Sequence, residues 1–171
     1  MATTITAATL TVTLSESITL NGQDYGSTNE FNVASINEIY KRIVNCPANA
    51  ETTVAIFNSV VGAAGGSTAF DGSLDLNDVR YIRVTNLDDT NSITLGLQID
   101  QGEDDSVADE TASVLLEAGK SFVMGVAEDA IGISGTDALA AAMVTDLVDL
   151  ESLIVQPGAN AIDVEVFIAS V

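Results

Sequence analysis

The chain has 171 residues and carries 25 acids against five bases, a net charge of −20. A phosphate backbone or an anionic lipid surface repels such a chain, which argues against nucleic-acid and membrane partners. With 47% hydrophobic residues but only 5% aromatic and no Trp, it can form one domain whose core is built from Val, Ile, Leu and Ala.

Taken in order, residues 1–8 are small and mixed in character and suggest an N-terminal arm; residues 9–171 suggest a single domain. The opening MATTITAATLTVTL has no basic start and no long apolar run, so no secretory leader is expected and synthesis in a cytoplasm is. Leu10, Val12 and Leu14 alternate with Thr11, Thr13 and Ser15, the period of two that a strand requires. Asn21-Gly22 is a tight-turn signal because both residues tolerate positive φ. Gln23–Glu30 is expected to be loop. Phe31, Val33 and Ser35 alternate, as do Ile39, Lys41 and Ile43, before Pro47 stops the run. Thr53–Phe57 is a short strand, and the small residues of Val61–Gly72 suggest a loop.

The stretch Asp78–Asp100 gives the clearest signal. Val79, Tyr81, Arg83 and Thr85 alternate with Arg80, Ile82, Val84 and Asn86. After the polar Leu87–Asn91, Ile93, Leu95, Leu97 and Ile99 alternate again. This predicts a β-hairpin with one apolar and one polar face. Beyond the acidic Gln101–Thr111, a strand over Val114–Leu116 is expected to turn at Ala118-Gly119-Lys120 and return over Ser121–Val126. One short helix is predicted near 136–147, capped by Thr136 or Asp137. Strands over Leu150–Val155 and Ile162–Ile168 flank the turn Pro157–Asn160. Eight to ten short strands with polar connections predict an all-β fold, a two-sheet β-sandwich of jelly-roll-like type, with an immunoglobulin-like arrangement as the alternative.

Chemistry is sparse. Without His there is no Ser-His-Asp triad, no Cys-His pair and no His metal site. No phosphate-loop or dinucleotide motif occurs. No catalytic residue, no cofactor and no enzymatic activity are expected, the residual enzyme reading being a hydrolase that uses carboxylates. The lone Cys46 suggests a buried small residue. For divalent cations the oxygen-rich candidates are Asp71 and Asp75, in a poor match to a calcium loop, and Asp104 and Asp105 in the acidic stretch; a solvated loop is the plainer reading of both. The five bases, Lys41, Arg42, Arg80, Arg83 and Lys120, all lie in or beside strand-like segments. Arg80 and Arg83 differ in parity and are expected on opposite faces of one strand. They are interaction candidates, at least one making an ordered salt bridge or an intersubunit contact.

Three segments together, SINEIYKRIV (35–44), RYIRVTNLDDTNSITLGL (80–97) joined to LEAGKSFV (116–123), and DVEVFIAS (163–170), resemble small virion structural proteins of tailed bacteriophages of marine and cyanobacterial hosts. The resemblance implies a non-enzymatic particle component that sits in the virion and is made in the host cytoplasm. Its implied partners are the major capsid protein or other virion proteins, and further copies of itself as a homo-oligomer. Decoration of the head exterior is the favoured position. The alternative is a tail- or fibre-associated module that binds a host-surface glycan or divalent cations.

Overall fold

The computed structural model describes residues 5–58, 72–99, 110–133 and 147–171. Apart from one 3-10 turn at Leu76–Asp78, regular structure among these residues is all β. The N-terminal part forms β1 (Ala8–Glu16), β2 (Thr19–Leu20), β3 (Gln23–Asp24) and β4 (Ser27–Ile36). Strands β5 (Glu38–Cys46), β6 (Thr52–Asn58), β7 (Leu74–Asp75), β8 (Val79–Asn86) and β9 (Ile93–Ile99) follow. The last four are β10 (Glu110–Leu116), β11 (Ser121–Met124), β12 (Leu150–Pro157) and β13 (Ile162–Ser170).

Strands β5 to β13 build two sheets. One has the order β11-β8-β13-β5; the other has the order β10-β9-β12-β6, with the two-residue β7 added parallel to β6. The pairs β5/β13, β6/β12, β8/β11 and β9/β10 are antiparallel and nested in sequence. The chain is therefore one long antiparallel ribbon wound so that successive pairs fall in alternate sheets, which is the eight-stranded jelly roll.

The alternation in the sequence decides the inner faces. Ile82 and Val84 of β8 and Val164, Val166 and Ile168 of β13 face Leu95 of β9 and Leu153 and Val155 of β12, all with essentially no exposed surface. Burying each such side chain contributes about 1.5–3 kcal/mol, so a core almost free of aromatic rings still closes. The Tyr40 hydroxyl donates to the Val54 carbonyl oxygen at 3.1 Å, tying β5 to β6 across the sandwich edge.

The sequence-based expectations are corrected in several places. Asp78–Asp100 is not a hairpin. β8 pairs with β11 and β13, whereas β9 pairs with β10 and β12. The intervening polar residues carry the chain from one sheet to the other. The two apolar rows face each other across the core instead of sharing one face of one sheet. Ala118–Lys120 likewise passes between sheets, because β10 and β11 belong to different ones. Gln23–Glu30, expected as loop, contributes β3 and the start of β4. These residues are exposed on both sides and have no apolar period to announce a strand. Asn21 and Gly22 do form the expected turn, with φ of 52° and 78°. The helix expected near 136–147 lies outside the described residues save Leu147, which has no regular structure.

β1 begins at Ala8, the last residue of the expected arm. β1 and β4 form a separate two-stranded ribbon, with the β2/β3 turn nested at its tip, and stand outside the sandwich. A register shift between Ala8 and Leu10 bends the ribbon at its base, where Ser35 takes a φ of 65°. Gly26 lets β4 pass close to β1, since a Cβ there would stand 2.6 Å from the Glu16 carbonyl oxygen.

Candidate functional site

The charge pattern acquires meaning in three dimensions. All five bases lie in β5 (Lys41, Arg42), in β8 (Arg80, Arg83) or immediately before β11 (Lys120), so one sheet holds every cation of the chain. The strands of the other sheet carry Asp75, Glu110 and Glu151 and no base. Only Lys41 and Arg83 point to the outer face of the β11-β8-β13-β5 sheet, which also bears Asp163 and Glu165; Arg42 pairs with the buried Val166 and Arg80 shares the row of the buried Ile82.

That face is assembled around β13. Phe167 stands directly between Lys41 of β5 and Arg83 of β8 in the ladder. Its ring meets Tyr81 edge-on, with centroids 6.0 Å apart, and the Arg83 guanidinium lies 5.6 Å from its centroid. Glu165, one pleat further along, accepts from Arg83 Nη2 and lies 3.3 Å from Lys41 Nζ. One carboxylate, 16% exposed, is shared by two cations, so this trio keeps a net positive charge. The Arg83 Nε–H is buried and has no acceptor among the described residues. Arg83 is therefore the ordered member of the pair singled out by sequence. Arg80 acts locally: its Nη1 donates to the carbonyl oxygens of Asn77 and Val79 at 2.7 and 2.9 Å, closing the 3-10 turn.

The ribbon roofs part of this face. Leu10, Val12 and Val33, at its base, pack with Ile36 against Tyr81, Phe167 and Ala169 in a second apolar cluster, separate from the main core. Further out the same side of the ribbon is uncovered: Leu14 is 53% and Phe31 39% exposed. Between ribbon and sheet lies a groove of about 480 Å³, walled by Leu10–Leu14 on one side and by Lys41, Tyr81, Arg83, Val123 and Phe167 on the other. A smaller groove of about 280 Å³ crosses the opposite sheet at Gly96, lined by Glu51, Thr94, Gln98, Thr111, Ser113 and Gln156 among others and by no aromatic ring. No family model, curated protein or solved structure matches the chain. What it does must be argued from these surfaces.

The structure describes one of the four cation candidates. Asp75 Oδ1 accepts from the Asn77 backbone N–H at 3.1 Å and caps the 3-10 turn, while Asp71, Asp104 and Asp105 lie outside the described residues. Among the described residues no group of three acidic, His or Cys side chains is placed to hold a metal ion.

The TNLDDTN segment is a built corner. Asn86, fully buried, donates through Nδ2 to the carbonyl oxygens of Asn91 (2.8 Å) and Leu116 (3.2 Å), and its Oδ1 accepts from the Asp88 N–H at 3.0 Å. Asp88 Oδ1 in turn accepts from the backbone N–H groups of Asn91 and Thr90. These bonds, Asn91 first, hold the Asp88 carboxyl below the usual carboxylate range. Sequence reasoning found the turn but not the role of Asn86, nor Glu165 as the partner of Arg83 82 residues away. The only signal for Glu165 was its place on the polar side of the final alternating strand.

Cys46 closes β5 with no exposed surface. Burial raises its thiol pKa, outweighing the opposing Thr52 hydrogen bond. The native protein is therefore expected to leave a thiol-reactive dye unreduced over minutes, and to titrate one thiol per chain once denatured in guanidinium. Rapid native labelling would show that the end of β5 opens.

Proposed function

We propose that this chain is a non-enzymatic structural subunit that works by protein–protein contact, and that its place is the exterior of a tailed-phage head, as a decoration subunit bound to the major capsid protein. The observation that carries the contact reading is the ribbon. A two-stranded extension with Leu14, Ile18, Leu20 and Tyr25 all more than half exposed stands off a closed sandwich. Apolar side chains gathered on a projecting element are shaped to be covered by another protein surface. The sandwich anchors the ribbon without needing a ligand of its own. The head position rests on the sequence resemblance and on charge: net −20 is unfavourable beside packaged DNA and harmless on the outside. The polar groove gives the glycan-binding alternative no support, since it lacks a ring on which a sugar could stack.

The test is the particle itself. Mass spectrometry of purified virions is expected to detect this chain, and a density map is expected to place the jelly roll on the outer capsid surface. Absence from the particle would sink the structural role. Density on the tail would sink the head assignment alone.

A further inference from the structure

We propose that the groove between the ribbon and the β11-β8-β13-β5 sheet receives the ribbon of a second copy of this chain, so that subunits clasp one another through β1 and β4. The inference rests on the contact reading above and names the surface that self-association would use.

Amphipathicity is the first argument. Residues opposite one another in an antiparallel ladder share a face. Leu10 pairs with Val33 and Val12 with Phe31, while Leu14 lies one step further out. All five therefore lie on one side of the ribbon, and Thr11, Thr13, Asn32 and Glu30 lie on the other. The base of the apolar side is covered by the chain's own Tyr81 and Phe167. Its outer half is less covered: Leu14, which lines the groove, is 53% exposed, and Phe31, beside Val12 in the ladder, is 39% exposed. An apolar surface that begins under cover and continues less covered along a cleft calls for a second apolar layer of the same kind.

Charge selects the occupant. Glu16 lies on the apolar side of the ribbon, beyond Leu14, and Asp24 is at the tip; residues 1–36 contain no base. The groove offers Lys41 and Arg83 around the single Glu165, the local excess of positive charge that an acidic ribbon would meet. Elsewhere two copies repel, since each carries −20. Repulsion over the rest of the surface with attraction at one place fixes orientation more than it adds affinity. The contact is also reciprocal: each subunit supplies both ribbon and groove, the condition for a closed symmetric assembly.

Sedimentation velocity of the intact chain over a micromolar dilution series tests this. The wild type is expected to sediment as an oligomer of the 17.6 kDa subunit. The double variant Leu14→Ser/Phe31→Ser is expected to be monomeric with an unchanged far-UV circular dichroism spectrum, because both side chains are already exposed in the subunit. Leu115→Ser, which alters an exposed leucine of the opposite sheet, is expected to leave the oligomer intact. Lys41→Glu and Glu16→Lys are each expected to weaken association about tenfold, and an equimolar mixture of the two to recover it through the matched interface. A monomeric wild type, or an oligomer indifferent to Leu14→Ser/Phe31→Ser, would overturn the clasp. A chain monomeric in solution yet bound to purified capsids would overturn it too, while leaving the structural role standing. A clasped oligomer absent from virions would do the reverse.

Discussion

Replacing Asn86 with leucine is expected to lower the stability of the chain by about 2–4 kcal/mol, although the substitution is close in volume and makes the core more apolar. The reason lies in what is left behind. Asn86 Nδ2 donates to two carbonyl oxygens on different segments, Asn91 in the corner and Leu116 at the end of β10, and its Oδ1 accepts from Asp88. Leucine leaves these groups without their side-chain partner where water enters poorly, and each such loss costs about 1–3 kcal/mol. The backbone of Asn86 remains bonded to the Lys120 carbonyl oxygen, which limits the damage to the side chain's share. In urea unfolding followed by circular dichroism, the midpoint should fall while the slope is unchanged. The melting temperature should drop by roughly 5–15 °C. Asn86→Asp should be at least as harmful, because an anionic oxygen replaces the donor and faces the two carbonyls. Thr85→Ala, next door, removes only an exposed hydroxyl pair with Ser121 and should cost well under about 1 kcal/mol. Equal stability of the Asn86→Leu variant would mean that the corner is held by its backbone alone.

The same corner shows where sequence reasoning stops. Alternation in β9 identified its buried row, Ile93, Leu95, Leu97 and Ile99, whereas in β8 it separated two rows without choosing between them, and Val79 and Tyr81 are buried as well as Ile82 and Val84. It could not identify the partner of either strand. A period of two reports a face, and the connection between Asn86 and Ile93 is long enough both for a hairpin and for a step between sheets. The topology is settled by β12 and β13, which occupy the neighbouring places from the far end of the chain. The ribbon was partly hidden for the opposite reason. Thr28, Asn29 and Glu30 sit in a strand with water on both sides, so no burial pattern was written into them.

The candidate site was legible in pieces. The parity of Arg80 and Arg83 put them on opposite faces of one strand without saying which would meet a carboxylate. The collection of Lys41 and Arg83 around Glu165 needed the ladder, in which β13 lies between β5 and β8. The jelly roll gathers a scattered set of five bases into one of its two sheets because the strands that bear them are separated in sequence by strands of the other sheet. That gathering is a consequence of winding, invisible in a charge plot along the chain.

Tyr81→Ala is expected to release the ribbon while leaving the sandwich folded. Tyr81 is 6% exposed and belongs to the cluster that seats Leu10, Val12 and Val33, not to the main core. Truncation removes most of a ring, along with its edge-on contact to Phe167, and should cost about 2–4 kcal/mol. That loss falls on the docking of the ribbon. An isolated two-stranded ribbon is marginal in water, so once undocked β1 and β4 should also lose their ladder. Hydrogen exchange can separate the two units. Amides of β1 and β4 should exchange roughly 30- to 1,000-fold faster, the range that 2–4 kcal/mol corresponds to, while those of β9 and β12 change by much less. Tyr81→Phe, which keeps the ring, should stay within about 1 kcal/mol of the wild type. Uniform acceleration across ribbon and sandwich would instead show that the two clusters unfold as one, and that the ribbon is a structural part of the jelly roll and not an appendage poised to bind. The distinction bears directly on function, because a ribbon held by a single small cluster can shift to meet a neighbour without disturbing the fold that carries it.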